Sequence, residues 1–186
     1  MQRPRPWVIV PGIWDSEPEH WQSRWQDERA ARDARVERIA PSSWTEPDAP
    51  DWRDAISRAV DASDAPPVLV AHSLGVLAVA DWLVTEPAVA DRVAGAFLVA
   101  PPDPDAEAFP SAARGFTAPT GPAPVPTLLV VSDDDPYCSP GRALAFAGTL
   151  GAEVRRIGPA GHVNVAAGVG SWPEGRRLLD GFADRG

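Results

Sequence analysis

The stretch VAHSLGV, residues 70–76, places a serine between two apolar segments. Before it, PPVLVA (66–71) is typical of a short buried strand, and after it, GVLAVADWLV (75–84) is typical of a helix. A strand, a tight turn carrying x-Ser-x-Gly and a helix together lift a reactive serine clear of a sheet. Ala71 and Gly75 are small, as this close approach of strand and helix requires, although glycine is more usual at the first position. The pattern therefore predicts that the serine is a nucleophile.

The serine, Ser73, has a simpler alternative role. Serine is a favoured N-cap residue, and a hydroxyl that only caps the following helix would leave the same pattern. Because an apolar strand precedes the serine and a helix follows it, the sequence favours the nucleophile over the cap. The amino end of that helix would also favour negative charge that develops nearby during a reaction.

The rest of the chain alternates β-rich runs with helix-like stretches, which is typical of an α/β protein. The strand candidates are Trp7–Val10, Val36–Ile39, Val68–Ala71, Gly95–Ala100, Thr127–Ser132 and Glu153–Ile157. The helix candidates are 18–32, 51–62, 75–86, 141–150 and 175–183. This alternation predicts one compact domain over residues 1–186, with a mostly or wholly parallel sheet of about six strands and helices on both faces.

Residues 101–126 interrupt the alternation with eight prolines and predict a long irregular segment. The segment leaves the carboxyl end of one strand candidate and returns before the next, at the edge where open α/β sheets bind ligands. Irregular segments of this length tend to be functional lids or linkers. We therefore expect it to face a substrate, and a plain surface loop is the alternative.

Composition excludes several kinds of site and partner. The chain has 17 basic and 26 acidic residues, a net charge of −9, and every basic residue is arginine. Without lysine there is no P-loop lysine, no Schiff base and no Ser–Lys dyad. The acidic balance argues against nucleic acid and anionic membranes as partners. A lone cysteine, Cys138, excludes an internal disulfide and a cysteine-based zinc site.

No apolar stretch approaches the ~18 residues of a membrane span. The first apolar run, Trp7–Val10, is shorter than the ~7–15 residues of a signal-peptide core. The sequence therefore predicts a cytoplasmic protein, and it indicates no particular oligomeric state.

A serine nucleophile needs a base, and the chain has three histidines. His72 directly precedes Ser73 and is expected to point away from the hydroxyl. His20 lies in the first predicted helix, where we expect a packing or hydrogen-bonding role. His162 follows the last predicted strand in a glycine-containing loop, which is the position of the base in enzymes with the chain order Ser…Asp…His. We therefore predict that His162 is the base.

The acid that orients the base is expected after the preceding strand. Three consecutive aspartates follow that strand candidate, in SDDDPYCS. Aspartate before proline also favours turns, and acidic residues cap helices, which can account for one of the three. Asp135, immediately before Pro136, is the first choice for the acid, and Asp134 is the second.

Five segments resemble the small serine hydrolases of the RBBP9/YdeN group (retinoblastoma-binding protein 9-like), which are compact α/β-hydrolases. The segments that carry the likeness are VPGIWDSEPEHWQSRW, LVAHSLG, LVAPPDPDAEAFP, SDDDPYCS and GHVNVAAGVGSWPEG. Together they extend over most of the chain. In the first loop the group more often has His-Gly where this chain has Pro11 and Gly12, so the glycine is kept.

The resemblance implies a serine hydrolase with Ser73 as nucleophile, Asp135 as acid and His162 as base. The implied reaction is cleavage of a small carboxylic ester or related acyl substrate through an acyl-serine intermediate, with no metal and no organic cofactor. A protein-interaction module on the same fold, with little or no turnover, is the alternative. An intact set of three residues argues against that alternative.

The resemblance also implies an oxyanion hole made of two backbone amides. Leu74 is expected to supply one of them, and either Ile13 or Trp14 the other. Two tryptophans, Trp14 in the first loop and Trp172 after the histidine, are the candidates for lining a substrate pocket, with simple packing as the alternative for each.

Overall fold

A computed structural model of the chain describes residues 4–32, 34–86 and 88–185. Within these ranges six strands form one sheet. They are β1 (Trp7–Val10), β2 (Val36–Arg38), β3 (Val68–His72), β4 (Gly95–Val99), β5 (Thr127–Val131) and β6 (Glu153–Arg156). Every predicted strand is present, with its ends within one residue of those expected. In the four central strands, short runs of β-branched and other apolar residues are responsible, because such runs suit strands buried on both faces, whereas the edge strands β2 and β6 are more polar and less buried.

The strands lie in the order β2-β1-β3-β4-β5-β6. Every neighbouring pair is parallel, which confirms the prediction of a mostly or wholly parallel sheet. Ala71 of β3 is in register with Val10 of β1 and Leu98 of β4. The turn after β3 therefore leaves the sheet near its centre, on the edge where the carboxyl ends of all the strands meet.

The helices are α1 (Trp21–Ala30), α2 (Ala49–Asp61), α3 (Leu74–Thr85), the short α4 (Val89–Arg92), α5 (Pro140–Leu150) and α6 (Pro173–Ala183). The five predicted helices are all present, and α4 was not predicted. Side chains define several of the starts. Asp48 accepts a hydrogen bond from the amide of Asp51 at the start of α2, and His20 does the same for Gln22 at the start of α1.

Helices cover both faces of the sheet, as predicted. One face carries α1 and α6, and its core includes Ile9, Trp21, Trp25, Phe97, Leu179 and Phe182. The other carries α2, α3 and α5, and its core includes Val8, Trp52, Ile56, Leu77, Leu129 and Phe146. Adjacent residues of β1 thus serve opposite cores, because successive side chains of a strand alternate between faces. No helix among the described residues is long and apolar enough to cross a membrane.

The proline-rich segment 101–126 contains no strand and only one short 3-10 turn, Ser111–Ala113. Its second half is anchored in the core. Ala113 and Phe116 are buried, and the Phe116 ring meets the Trp52 ring edge-on at a centroid distance of 5.4 Å. This anchoring leaves the first half of the segment to lie over the carboxyl edge of the sheet.

Candidate active site

The turn between β3 and α3 holds Ser73 in an unusual backbone conformation. Its φ is 54° and its ψ −127°, a region that few non-glycine residues adopt. Gly75 permits the turn because a Cβ at this position would lie 2.3 Å from the Val10 carbonyl oxygen. Gly12 is similarly close, since a Cβ there would lie 2.9 Å from the Cβ of Ser73. The Ser73 side chain makes no capping hydrogen bond to α3, so the cap alternative has no support.

The Ser73 hydroxyl lies at one end of a chain of hydrogen bonds. Its Oγ is 2.7 Å from Nε2 of His162, and Nδ1 of the same ring is 2.9 Å from Oδ2 of Asp135. The side chains of His162 and Asp135 are 9% and 3% exposed, so little water competes for these bonds. A carboxylate can only accept here, which places a proton on Nδ1 and leaves Nε2 free to accept from the serine.

The neighbouring aspartate, Asp134, contacts the backbone of the loop that carries His162 and not the ring. Its Oδ1 accepts a 2.7 Å hydrogen bond from the amide of Gly161 and a 3.0 Å bond from the hydroxyl of Ser132. The Gly161 amide, followed by the Ser132 hydroxyl, lowers the pKa of Asp134. Of the two aspartates considered from sequence, the structure thus brings Asp135 to the ring and Asp134 to the loop.

The backbone amides near the serine differ in whether they already donate a hydrogen bond within the protein. The Trp14 amide donates a 2.8 Å hydrogen bond to the carbonyl of Trp44. Those of Leu74 and Ile13 donate to no backbone or side-chain acceptor of the described residues. Of the two first-loop candidates for an oxyanion amide, Ile13 is therefore the one whose N–H is unused.

The other two histidines also lie at this site. His72 points away from the serine hydroxyl, as expected, and its Nε2 is 2.8 Å from the carbonyl oxygen of His162. Burial is the main cause that lowers the pKa of His72 well below the usual value of 6.5. Burial likewise lowers the pKa of His20, to about 4, with a smaller effect of Arg38. Both rings are therefore neutral near pH 7.

The segment from Gly158 to Gly168, here called the histidine loop, is held by side chains from other parts of the chain. The Trp21 indole donates a 2.9 Å hydrogen bond to the carbonyl of Val163. The hydroxyl of Ser132 accepts a 3.0 Å bond from the amide of Ala160. With the contacts of His72 and Asp134, four side chains thus fix the backbone that carries His162.

A pocket of about 140 Å³ opens above the serine. Its lining comprises Gly12, Ile13, Trp14, Asp15, Glu17, His20, His72, Ser73, Leu74, Pro102, Phe109, Pro110, Tyr137, His162 and Asn164. Three of these belong to the proline-rich segment, as expected from its position. Trp14 lines the pocket, and 63% of its surface is exposed.

Trp172, the other predicted pocket residue, lies outside this lining. Its ring stacks on that of Trp25 at a centroid distance of 5.8 Å and an interplanar angle of 11°, and it meets the Trp21 ring at 5.3 Å. Gly175 leaves room for the indole, since a Cβ there would lie 2.1 Å from it. Burial against this aromatic cluster is more favourable for a large apolar ring than exposure at a pocket.

Sequence reasoning missed Phe109, Tyr137 and the pocket position of His20. The Tyr137 ring centroid is 4.5 Å from that of His162. Its position two residues after Asp135 was a usable signal, because the Asp135 carboxylate contacts the His162 ring. No comparable local signal marks Phe109, which reaches the pocket only through the path of the proline-rich segment.

Two other kinds of site, a metal site and a cysteine nucleophile, have little support near Ser73. No group of three or more His, Cys, Asp or Glu side chains within the described ranges is arranged to hold a metal ion. Burial, with Asp103 and Asp135 nearby, raises the pKa of the Cys138 thiol to about 12. The thiol is therefore protonated near pH 7 and is a poor nucleophile.

With this geometry established, comparisons with known proteins identify the family. A family described as Serine hydrolase matches residues 7–181. A protein from Pectobacterium atrosepticum, described as a YdeN-like hydrolase, is 34% identical, with a TM-score of 0.82 over 96% of this chain and 90% of that one. The chain belongs to the YdeN-like serine hydrolases.

Other solved structures share the fold of this YdeN-like hydrolase at lower identity. The ydeN gene product of B. subtilis is 20% identical, with a TM-score of 0.77 over 96% of this chain and 98% of that one. A protein of Xanthomonas campestris, described as a hydrolase of the α/β superfamily, is 16% identical, with a TM-score of 0.63 over 96% and 99% of the two chains. No curated protein sequence matches the chain.

Proposed function

We propose that this YdeN-like hydrolase cleaves a small carboxylic ester or a related acyl substrate through an acyl-serine intermediate. The observation that carries the proposal is the continuous chain of hydrogen bonds from Ser73 Oγ through His162 to Asp135, with distances of 2.7 and 2.9 Å. A serine hydroxyl becomes nucleophilic when an adjacent base accepts its proton and a third group orients that base.

In the first half-reaction, Ser73 Oγ attacks the acyl carbon while Nε2 of His162 takes its proton. The imidazolium is stabilised by the carboxylate of Asp135, and it then gives the proton to the leaving alcohol as the bond to the acyl carbon breaks. In the second half-reaction, His162 takes a proton from water, which attacks the acyl-serine. The proton returns to Ser73 as the carboxylic acid leaves.

Two backbone amides are proposed to hold the negative charge that develops on the acyl oxygen. The unused N–H groups of Leu74 and Ile13 support this assignment, whereas the Trp14 amide is occupied by the carbonyl of Trp44. A donor of this kind contributes ~3–4 kcal/mol to transition-state stabilisation in acyl transfer. Gly12, the residue before Ile13, supports the assignment, because a Cβ there would lie 2.9 Å from the Cβ of Ser73 and its absence lets the first loop approach the serine.

The pocket supports a small substrate. Its volume of about 140 Å³ is well below the ~300–1,000 Å³ of pockets that enclose drug-sized ligands. The Phe109 and Trp14 side chains and two prolines give it apolar walls suited to a short acyl chain. Its charged lining groups are Asp15, whose carboxylate is paired with Arg38, and Glu17, and no arginine lines it, so an anionic substrate would find no cationic partner there.

The proposal is tested by labelling the purified protein with a fluorophosphonate probe, which reacts with activated serines. We expect labelling of the wild type and none of Ser73→Ala. Ser63→Ala is the matched control, since it makes the same change at a residue outside the pocket lining, after the end of α2. It is expected to label like the wild type.

Turnover is then measured with p-nitrophenyl acetate and longer p-nitrophenyl esters. We expect the rate to fall as the acyl chain outgrows the pocket. A folded wild type that neither labels nor turns over any ester would overturn the proposal. That result would favour the alternative, a protein-interaction module on a hydrolase fold.

A further inference from the structure

The proposed reaction uses one histidine, and the remaining two lie in a row beside it. The ring centroids of His20 and His72 are 4.8 Å apart, and those of His72 and His162 are 5.0 Å apart. All three residues are buried. We infer that His20 and His72 form a hydrogen-bonded chain that positions the base, His162. The inference rests on the proposed function, because it concerns how His162, the proposed base, is held in position.

The chain begins at His20, whose proton position is fixed by a neighbour. Nδ1 of this ring accepts a 3.2 Å hydrogen bond from the amide of Gln22. A ring nitrogen that accepts carries no proton, so neutral His20 has its proton on Nε2. This Nε2 is buried and has no hydrogen-bond partner among the described residues. A buried donor without an acceptor costs free energy, so the structure has a reason to pair it.

His72 carries the complementary unused atom. Because a carbonyl oxygen can only accept, the 2.8 Å contact between His72 Nε2 and the His162 oxygen requires a proton on Nε2. The ring is neutral, so Nδ1 of His72 is an acceptor, and the hydrogen bond described for this ring is the one made by Nε2. Donation from His20 Nε2 to His72 Nδ1 would pair both atoms. In the structure the two nitrogens are not hydrogen-bonded, so the inferred bond requires one ring to turn from its present tilt of 56° at a centroid separation of 4.8 Å.

The consequence is a directional chain from the Gln22 amide through His20 and His72 to the His162 carbonyl. It fixes the backbone of the base, while Asp135 fixes the ring. His72 directly precedes Ser73, so one rigid turn carries both the nucleophile and a support of the base. A displacement of about 1 Å in such a site can lower the rate about 100-fold.

Kinetics test the chain at His72. His72→Gln keeps an amide donor near the position of Nε2, and His72→Leu removes it. With p-nitrophenyl acetate, we expect His72→Leu to lower kcat about 100-fold with KM within about two-fold, whereas His72→Gln recovers at least about ten-fold of that loss. Circular dichroism and fluorescence establish that each variant is folded. Equal kcat values for folded Leu and Gln variants would overturn the inference.

A second measurement uses the wild type and does not depend on the folding of a variant. Labelling histidine with ¹⁵N gives three rings, whose nitrogen shifts distinguish the two neutral tautomers. At pH 7 we expect the Nε2–H form for both His20 and His72, with His20→Phe used to assign the signals. The Nδ1–H form on either ring would overturn the inference. The tautomer measurement does not depend on turnover. A wild type that fails to react with the fluorophosphonate would count against the proposed function alone.

Discussion

The nucleophile turn and the histidine loop present two halves of one site, and different forces hold them. Around Ser73 the fixing elements are backbone groups and close packing: its amide donates to the carbonyl of Val99, and Gly75 lies against the β1 backbone. The histidine loop has no strand and only a short 3-10 turn, and side chains from distant segments hold it. Steric requirements restrict the residue types in the local sequence, whereas tertiary side-chain hydrogen bonds restrict them very little.

The two consecutive aspartates make different contacts. Asp135 contacts the His162 ring, whereas Asp134 contacts the backbone of the histidine loop. Asp135→Asn removes the charge that stabilises the imidazolium and permits the wrong tautomer, so we expect kcat to fall about 10⁴-fold. Asp134→Asn makes the same change one residue away but keeps an oxygen that can accept from Gly161. We expect this variant to retain kcat within about three-fold, since the loop bond survives. Both rates are measured with p-nitrophenyl acetate.

Equal losses in the two aspartate variants would contradict this division of labour. A loss confined to Asp134→Asn would reverse it, and Asp134, the second choice from sequence, would then become the acid. Fluorophosphonate labelling rates provide a check that does not depend on the ester chosen.

Lowering the pH is expected to destabilise the fold, because it protonates His20, which lies in the row of histidines between the Ser73 turn and the histidine loop. The pKa of His20 is about 4 in the folded protein and 6.5 in its ordinary state, so between these values the unfolded chain binds more protons. The free energy of unfolding therefore falls as the pH drops from 6.5 to 4, by roughly 3 kcal/mol from this group. Urea denaturation at pH 7.5, 5.5 and 4.5 measures the change.

The matched variant is His20→Gln, which cannot titrate in this range. Its unfolding free energy should fall less steeply with acid than that of the wild type, and the lowered pKa of His72 should account for part of the slope that remains. Identical slopes for the two proteins would show that His20 is not held neutral by burial.

The steric half of the comparison is tested at Gly75. Gly75→Ala places a Cβ 2.3 Å from the Val10 carbonyl oxygen, so β1 or the turn must move. We expect a loss of roughly 2–3 kcal/mol in the free energy of unfolding, the upper range for overpacking. Gly148→Ala is the control, because a Cβ there meets nothing within 4 Å and alanine suits the interior of α5.

Gly148→Ala should raise the stability by roughly 0.5–1 kcal/mol. Urea denaturation of both variants, read by tryptophan fluorescence, gives the two values. If Gly75→Ala were as stable as the control, the close approach at the turn would not constrain the residue.

These contrasts explain what could be predicted from sequence. The strands and the Ser73 turn were predictable because burial and close packing dictate residue types within a few positions. The positions of Asp135 and His162 beside Ser73 were predictable because the chain order Ser…Asp…His puts these residues after particular strands. The contact of His72 with the His162 carbonyl was not, since it joins residues 90 positions apart through one ring nitrogen. For Trp172 the sequence left pocket lining and simple packing both open for a similar reason, because its packing partners lie on the distant α1.

The smallest expected effect concerns Trp21, which joins α1 to the histidine loop. Trp21→Phe removes the 2.9 Å bond to the Val163 carbonyl and leaves a buried acceptor unpaired, at a cost of about 1–3 kcal/mol in stability. Because Val163 adjoins the base, kcat should also fall, by up to about ten-fold. One turn along α1, Trp25→Phe removes a bond of the same length, 2.9 Å, to the carbonyl of Ser171, which is partly buried.

Ser171 lies outside the histidine loop, so Trp25→Phe should cost similar stability and leave kcat within about two-fold of the wild type. Urea denaturation and kcat for p-nitrophenyl acetate are measured on both variants. If kcat fell equally in both, the effect would arise from general loosening of the aromatic cluster. If it fell only in Trp21→Phe, the side-chain bonds to the loop would be what holds the base at hydrogen-bonding distance from the serine.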